Sequence, residues 1–149
     1  MQQPMSWYLR STIAMAGGIF LECAFNSRHD WPRGYGGTQF PWVPPLYFIG
    51  YTAFEHVHDK LLAYKVHALG RGVVYGVIFL GIEYVGGKFS VAVIGKCPWE
   101  YVGFKYTDSE RIVNFAHMPF WMVLGWAAEL THNKLMSLTY IVANETPGK

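Results

Sequence analysis

At 149 residues the chain has the length of one domain, but with 52% hydrophobic, 17% aromatic and only 15% charged residues it is poorer in charge than a soluble domain, where about 25% is usual. A formal net charge of +2 with no basic patch argues against nucleic acid as a partner. Two cysteines, Cys23 and Cys97, are too few for a disulfide scaffold.

Mean hydropathy is a modest +0.14, because Tyr, Trp, Gly and Pro supply much of the apolar character in place of Leu. Trp and Tyr enrichment, with Gly and Pro inside apolar runs, is typical of membrane helices. The composition therefore predicts an integral membrane protein; a soluble all-helical domain is the alternative.

In chain order, the opening MQQPMSWYLR lacks a basic region before its apolar stretch and a clear cleavage site, so it reads as the lead into a retained helix. The first span is expected at about 6–25. Residues 26–40, with Asn-Ser, Asp, Pro and glycines, read as a loop. The second span is expected at about 40–62, with Pro44 and Pro45 in its first turn, where a missing amide donor does no harm. The third falls at about 72–94 and the fourth at about 112–130. Each approaches the length that crosses the hydrocarbon core. The expectation is an all-α, single-domain membrane four-helix bundle over residues 1–149. Basic residues discriminate the two sides weakly, with both termini placed in the cytosol. Cys23 and Cys97 then lie near the opposite face, where a disulfide and two free thiols both remain open.

The chain repeats itself. PLYFIGYTAFEHVHDKL (45–61) aligns with PFWMVLGWAAELTHNKL (119–135) without a gap, keeping Pro, Glu, His, Lys and Leu in register. IFLE at 19–22 more loosely resembles IFLGIE at 78–83. Two tandem helix-pair repeats, about 6–62 and 72–135, are predicted, related by an approximate axis along the membrane normal.

One glutamate falls on each predicted span: Glu22, Glu55, Glu83 and Glu129. A carboxylate in hydrocarbon costs several kcal/mol or more unless it is paired, protonated or bound to metal. Glu55 with His58, and Glu129 with His132, form Glu-x-x-His pairs whose spacing puts both side chains on one helix face. Glutamate and Glu-x-x-His in that order match the ligand set of ferritin-like di-metal bundles, suited to iron, manganese or zinc. Against this, Glu22 lies near the opposite end of its helix. The plainer reading gives Glu55 and Glu129 helix-end positions near Lys60 or Lys134. Glu83, near the centre of its span, needs a tyrosine, His117 or another helix; Glu22, Glu83 and His117 are the candidates for a substrate or proton path.

Lys96-Cys97-Pro98-Trp99-Glu100-Tyr101 follows the third span. Pro98 stops the helix, and Trp99 and Tyr101 are expected to anchor at the membrane interface. Cys97 lacks the companions of a metal knuckle or a redox pair. This segment resembles the Cys-Pro-Trp-Asp-Tyr motif of the transmembrane protein 229 family, related to bacterial proteins labelled ABC-transporter type IV or CmpB-like. The resemblance extends to Trp7-Tyr8-Leu9, Glu22, Pro45, Tyr47, Gly50, Glu83, Asn114, Trp126 and Glu129, short matches spread over most of the chain. Glu100 departs from the family's Asp, and His58 and His132 are not part of the resemblance.

The resemblance implies a small multi-pass membrane protein with no established activity, and there is no GxxxxGK[ST] motif for an ATPase. The expected function is that of an accessory or structural subunit or minor transport component, without catalysis or cofactor, whose partners are membrane lipids and other membrane subunits or further copies of itself. The alternative is a membrane metalloenzyme acting on a lipid-like substrate through Glu55, His58, Glu129 and His132. Catalytic residues beyond those ligands are not identified by the sequence.

Overall fold

The computed structural model describes residues 5–26 and 43–145, with side chains over 5–21 and 44–137. Over these residues the chain is all-helical, with α1 (Trp7–Asn26), α2 (Val43–Ala63), α3 (Ala68–Ile94), a short 3-10 turn (Phe115–His117) and α4 (Met118–Glu145). An isolated bridge between Thr107 and Asn114 is the only β pairing among them. Nearly all of the predicted loop at 26–40 lies outside the described residues, as do the side chains of Glu22 and Cys23.

Local chemistry sets the helix ends. Pro44 and Pro45 occupy the first turn of α2. After α2 the chain reverses through Lys65, at φ 53°, and the His67 ring caps α3 by accepting from the Leu69 amide at 3.3 Å. That cap starts α3 at Ala68, four residues earlier than expected. Gly95, left-handed at φ 76°, ends α3, its amide returning to the Val91 carbonyl.

The fourth helix differs most from expectation. Residues 98–114 close a hydrogen-bonded loop of their own instead of starting the helix at 112. The Asp108 carboxylate accepts from the Ile112 and Val113 amides at 2.7 and 2.8 Å, and the Tyr101 amide donates to the Arg111 carbonyl at 2.8 Å. Asn114 then caps the 3-10 turn, and α4 continues well past residue 130. Glu129 and His132, expected near a helix end, therefore stand well inside α4.

Antiparallel packing pairs α1 with α2 and α3 with α4, and α2 and α3 join the pairs. The core is aromatic, built on Tyr51, Phe54 and Tyr75. Around it the bundle buries polar side chains: Ser11, His58, Glu83, Ser90 and His132. The buried residues of α3 are Gly72, Tyr75, Gly76, Glu83, Gly87 and Ser90, without one aliphatic side chain. Many of the helices' large apolar side chains point outward instead, with Phe20 72%, Val85 66% and Leu130 66% exposed.

Among the described residues one helix, α3, is long and apolar enough to cross a membrane by itself, and only 17% of its most apolar stretch is buried. The other three predicted spans do not reach that threshold. Gly, Ser, Thr, Trp and Tyr dilute α1; Glu55, Asp59 and Lys60 break up α2; Glu129 and Lys134 break up α4.

Candidate functional site

The repeated Glu-x-x-His pairs converge. Glu55 and His58 are three apart on α2, Glu129 and His132 three apart on α4, and all four side chains turn into the bundle at one level. The Nδ1 atom of His132 lies 3.1 Å from Glu55 Oε1, and Nδ1 of His58 lies 3.9 Å from Glu129 Oε2. Each histidine thus faces the glutamate of the other half. The two imidazoles meet edge to face with centroids 5.0 Å apart. His58 is 1% and His132 5% exposed, and Phe54, fully buried, stacks on His58 and packs edge-on against His132.

Arginines hold the glutamates, not the lysines of the plainer reading. Arg10 on α1 pairs through Nε with Glu55. Arg71 on α3 grips Glu129 with both prongs, Nε donating to Oε2 at 3.0 Å and Nη2 to Oε1 at 2.6 Å. The two arginines correspond closely: Arg10 also donates to the Met5 carbonyl and Arg71 to the Val66 carbonyl, each five residues upstream. Sequence reasoning missed both. The available signal was that Arg10 and Arg71 each stand 12 residues before a glutamate, Glu22 and Glu83, in a gap-free offset.

Two tyrosines complete the centre, also unforeseen. The Tyr75 hydroxyl donates to Glu129 Oε2 at 3.1 Å and lies 3.0 Å from His58 Nδ1. The Tyr51 hydroxyl lies 3.4 Å from His132 Nδ1. Tyr75 fits because position 125 is glycine: a Cβ there would overlap the Tyr75 side chain. Asp59, exposed beside His58, has a carboxylate oxygen near the two rings; the candidate donor atoms of His58, Asp59 and His132 all lie within 4.8 Å of one another.

Glu83 does not belong to this centre. It lies 12 residues along α3 from Arg71, about 18 Å at 1.5 Å per residue, and receives the Tyr101 hydroxyl. The His117 ring packs edge-on against Tyr101, centroids 5.2 Å apart, so Glu83, Tyr101 and His117 form a second polar cluster under the 98–114 loop. A single centre using all four glutamates is therefore not formed. Burial lowers the His117 pKa from its ordinary value of 6.5, favouring the neutral ring.

The CPWEY segment is a packing element. Trp99 and Tyr101, expected as interfacial anchors, are buried, and the Trp99 indole donates to the Ile112 carbonyl at 3.2 Å. Pro98 is buried with them, while Glu100 is exposed, 4.0 Å from Arg111. Cys97 and Ile112 both lie over Gly87, where a Cβ would overlap Ile112. Cys97 is a free thiol whose pKa burial pushes up to about 11, so it is protonated and weakly nucleophilic at neutral pH.

No protein-family model, curated protein or solved structure matches the chain.

Proposed function

We propose that the chain is a four-span integral membrane protein of two tandem helix pairs, working as a minor transport component or accessory subunit and not as an enzyme. The observation that carries this reading is the pattern of burial along the helices: glycine, polar side chains and three aromatic residues inside, most aliphatic side chains outside. In water that arrangement exposes apolar surface on every helix; in a bilayer the same surface meets lipid, and the buried glutamates keep their partners. The corresponding contacts of Arg10 and Arg71 support a duplication, and the resemblance to the transmembrane protein 229 family fits the same architecture.

In this reading the working part is the centre between the halves. Both carboxylates there are neutralised by arginine, which leaves the two imidazoles as the groups that can meet a cation. The Glu83–Tyr101–His117 cluster then serves to seat the 98–114 loop on α3. Lipids, and other membrane subunits or further copies of the chain, are the partners expected for its outer face.

Fractionation tests the setting. The chain is expected to stay with membranes through alkaline carbonate and high salt and to leave them only with detergent. A carbonate-extractable chain that is monodisperse in detergent-free buffer would overturn the membrane reading. Transport is tested separately in liposomes: His132→Gln should keep helicity and lose ion-dependent flux, and flux equal to the parent's would leave assembly as the role.

The grouping of His58, Asp59 and His132 favours one element of a second reading, the membrane metalloenzyme, since it provides donors for a metal.

A further inference from the structure

We infer that His58 and His132, together with Asp59, form a binding site for a divalent first-row transition metal, with the two Nε2 atoms as ligands and Glu55 and Glu129 holding the opposite ring nitrogens. The inference goes beyond the membrane reading and depends on no part of it, since a soluble bundle with the same interior would bind the metal equally.

The hydrogen bonds fix the tautomers. Tyr75 gives its hydroxyl proton to Glu129, so its oxygen is left to accept, and His58 must supply a proton from Nδ1 across their 3.0 Å contact. Nδ1 of His132 faces the carboxylate of Glu55 at 3.1 Å, which again calls for Nδ1–H. In its neutral form each ring therefore carries its proton on Nδ1 and presents an Nε2 lone pair. This is the form in which imidazole binds a metal, and a carboxylate or a hydroxyl-bridged carboxylate behind the ring is the usual partner that fixes it. The sequence suggested the glutamates as ligands; the arginines hold them back, and they become the groups that orient the ligands.

The remaining geometry agrees. One ring nitrogen each from His58 and His132 and a carboxylate oxygen of Asp59 lie within 4.8 Å of one another. A tetrahedral shell with bonds of about 2.0–2.1 Å needs donors about 3.4 Å apart, so the three groups close up by at most about 1.4 Å on binding. Two arginine–glutamate pairs cancel in charge, and Asp59 leaves the cluster with one net negative charge, favourable to a divalent cation. Two imidazoles and a carboxylate suit zinc, iron(II) or manganese, and leave a coordination position open on the exposed side where Asp59 stands.

The test uses the full chain purified in mild detergent, stripped with chelator and then freed of it. Titration with Co²⁺, followed by its visible d–d absorption, and with Zn²⁺ by calorimetry, is expected to give one equivalent per chain. His58→Gln and His132→Gln should abolish that binding. Glu55→Gln should weaken it by about 10–100-fold at unchanged stoichiometry, Asp59→Asn should weaken it measurably, and exposed His56→Gln should leave it unchanged. Because a histidine variant can fail to fold, the parent chain is also treated with diethylpyrocarbonate with and without Zn²⁺. Bound metal should protect His58 and His132, but not His56, as mapped by mass spectrometry. Absence of binding in a helical, monodisperse parent chain overturns the site, as does binding that is retained in a folded His58→Gln/His132→Gln double variant or that leaves both rings unprotected.

Discussion

The two halves carry the same Arg–Glu–His set but wire it differently. In the second half Arg71 takes Glu129 in a two-pronged grip, and a tyrosine hydroxyl stands between that glutamate and His58. In the first, Arg10 reaches Glu55 through Nε, and His132 meets the carboxylate directly. The cause is a swap of bulk. Half one has Ala14 on its first helix and Tyr51 on its second; the corresponding positions in half two are Tyr75 and Gly125. One tyrosine per half is kept, on opposite helices, so the same motif yields a direct contact on one side and a bridged one on the other.

Breaking the anions should give the largest effects. Glu129→Ala strands Arg71, Tyr75 and His58, and is expected to cost about 3–5 kcal/mol, since removing one member of a largely buried pair leaves a charge without its counter-ion. Glu55→Ala should cost less, its arginine making the simpler contact. Thermal unfolding in detergent, followed by tryptophan fluorescence, ranks them, and equal losses would erase the asymmetry.

The swap of bulk is tested next. Gly125→Ala forces its Cβ into Tyr75 and should cost about 1–3 kcal/mol. Combined with Tyr75→Ala, which opens the space, the same glycine substitution should cost much less; an additive double variant would show that the two positions do not share it.

The hydroxyls come third. Tyr75→Phe removes two contacts, one to an anion, for about 1–2 kcal/mol, whereas Tyr51→Phe removes one long contact and should stay within about 0.5 kcal/mol. The same melting measurement decides.

Smaller effects belong to the far end of the bundle. With its pKa pushed to about 11 from an ordinary 9.0, Cys97 should alkylate about 100-fold more slowly at pH 8 when folded than when unfolded. Because the folded value is raised, the stability it confers is complete below pH 9 and is lost as pH rises towards 11. His117 has the opposite sign: its lowered pKa gives stability that is present above pH 6.5 and falls as pH drops through the folded value. His117→Gln should flatten that part of the melting-temperature profile between pH 7 and 5.

The all-helical class, four helices and the paired Glu-x-x-His were legible in the sequence because they depend on local spacing. Three residues between Glu and His fix a common helix face wherever the helix goes, and apolar runs bounded by Pro, Gly and loop residues fix where helices form. The helix limits around 98–118 were not legible, since the loop is held by Asp108 reaching amides four and five residues on and by Trp99 and Ile112 seating near Gly86 and Gly87. Trp99 and Tyr101 looked like interface residues for the same reason: burial is decided by what folds over a side chain, and the loop folds over these.

Which residues answer the glutamates was decided only by tertiary structure. Lys60 and Lys134 are near in sequence, but Arg10 and Arg71 arrive from neighbouring antiparallel helices with side chains long enough to reach a carboxylate at the bundle's interior. Periodicity reports which face of a helix a residue occupies and says nothing of the face opposite. The sequence by itself determined that two carboxylate–imidazole pairs exist and are alike. Packing of the four helices determined that they meet, that arginine claims the carboxylates, and that each imidazole faces the glutamate of the other pair.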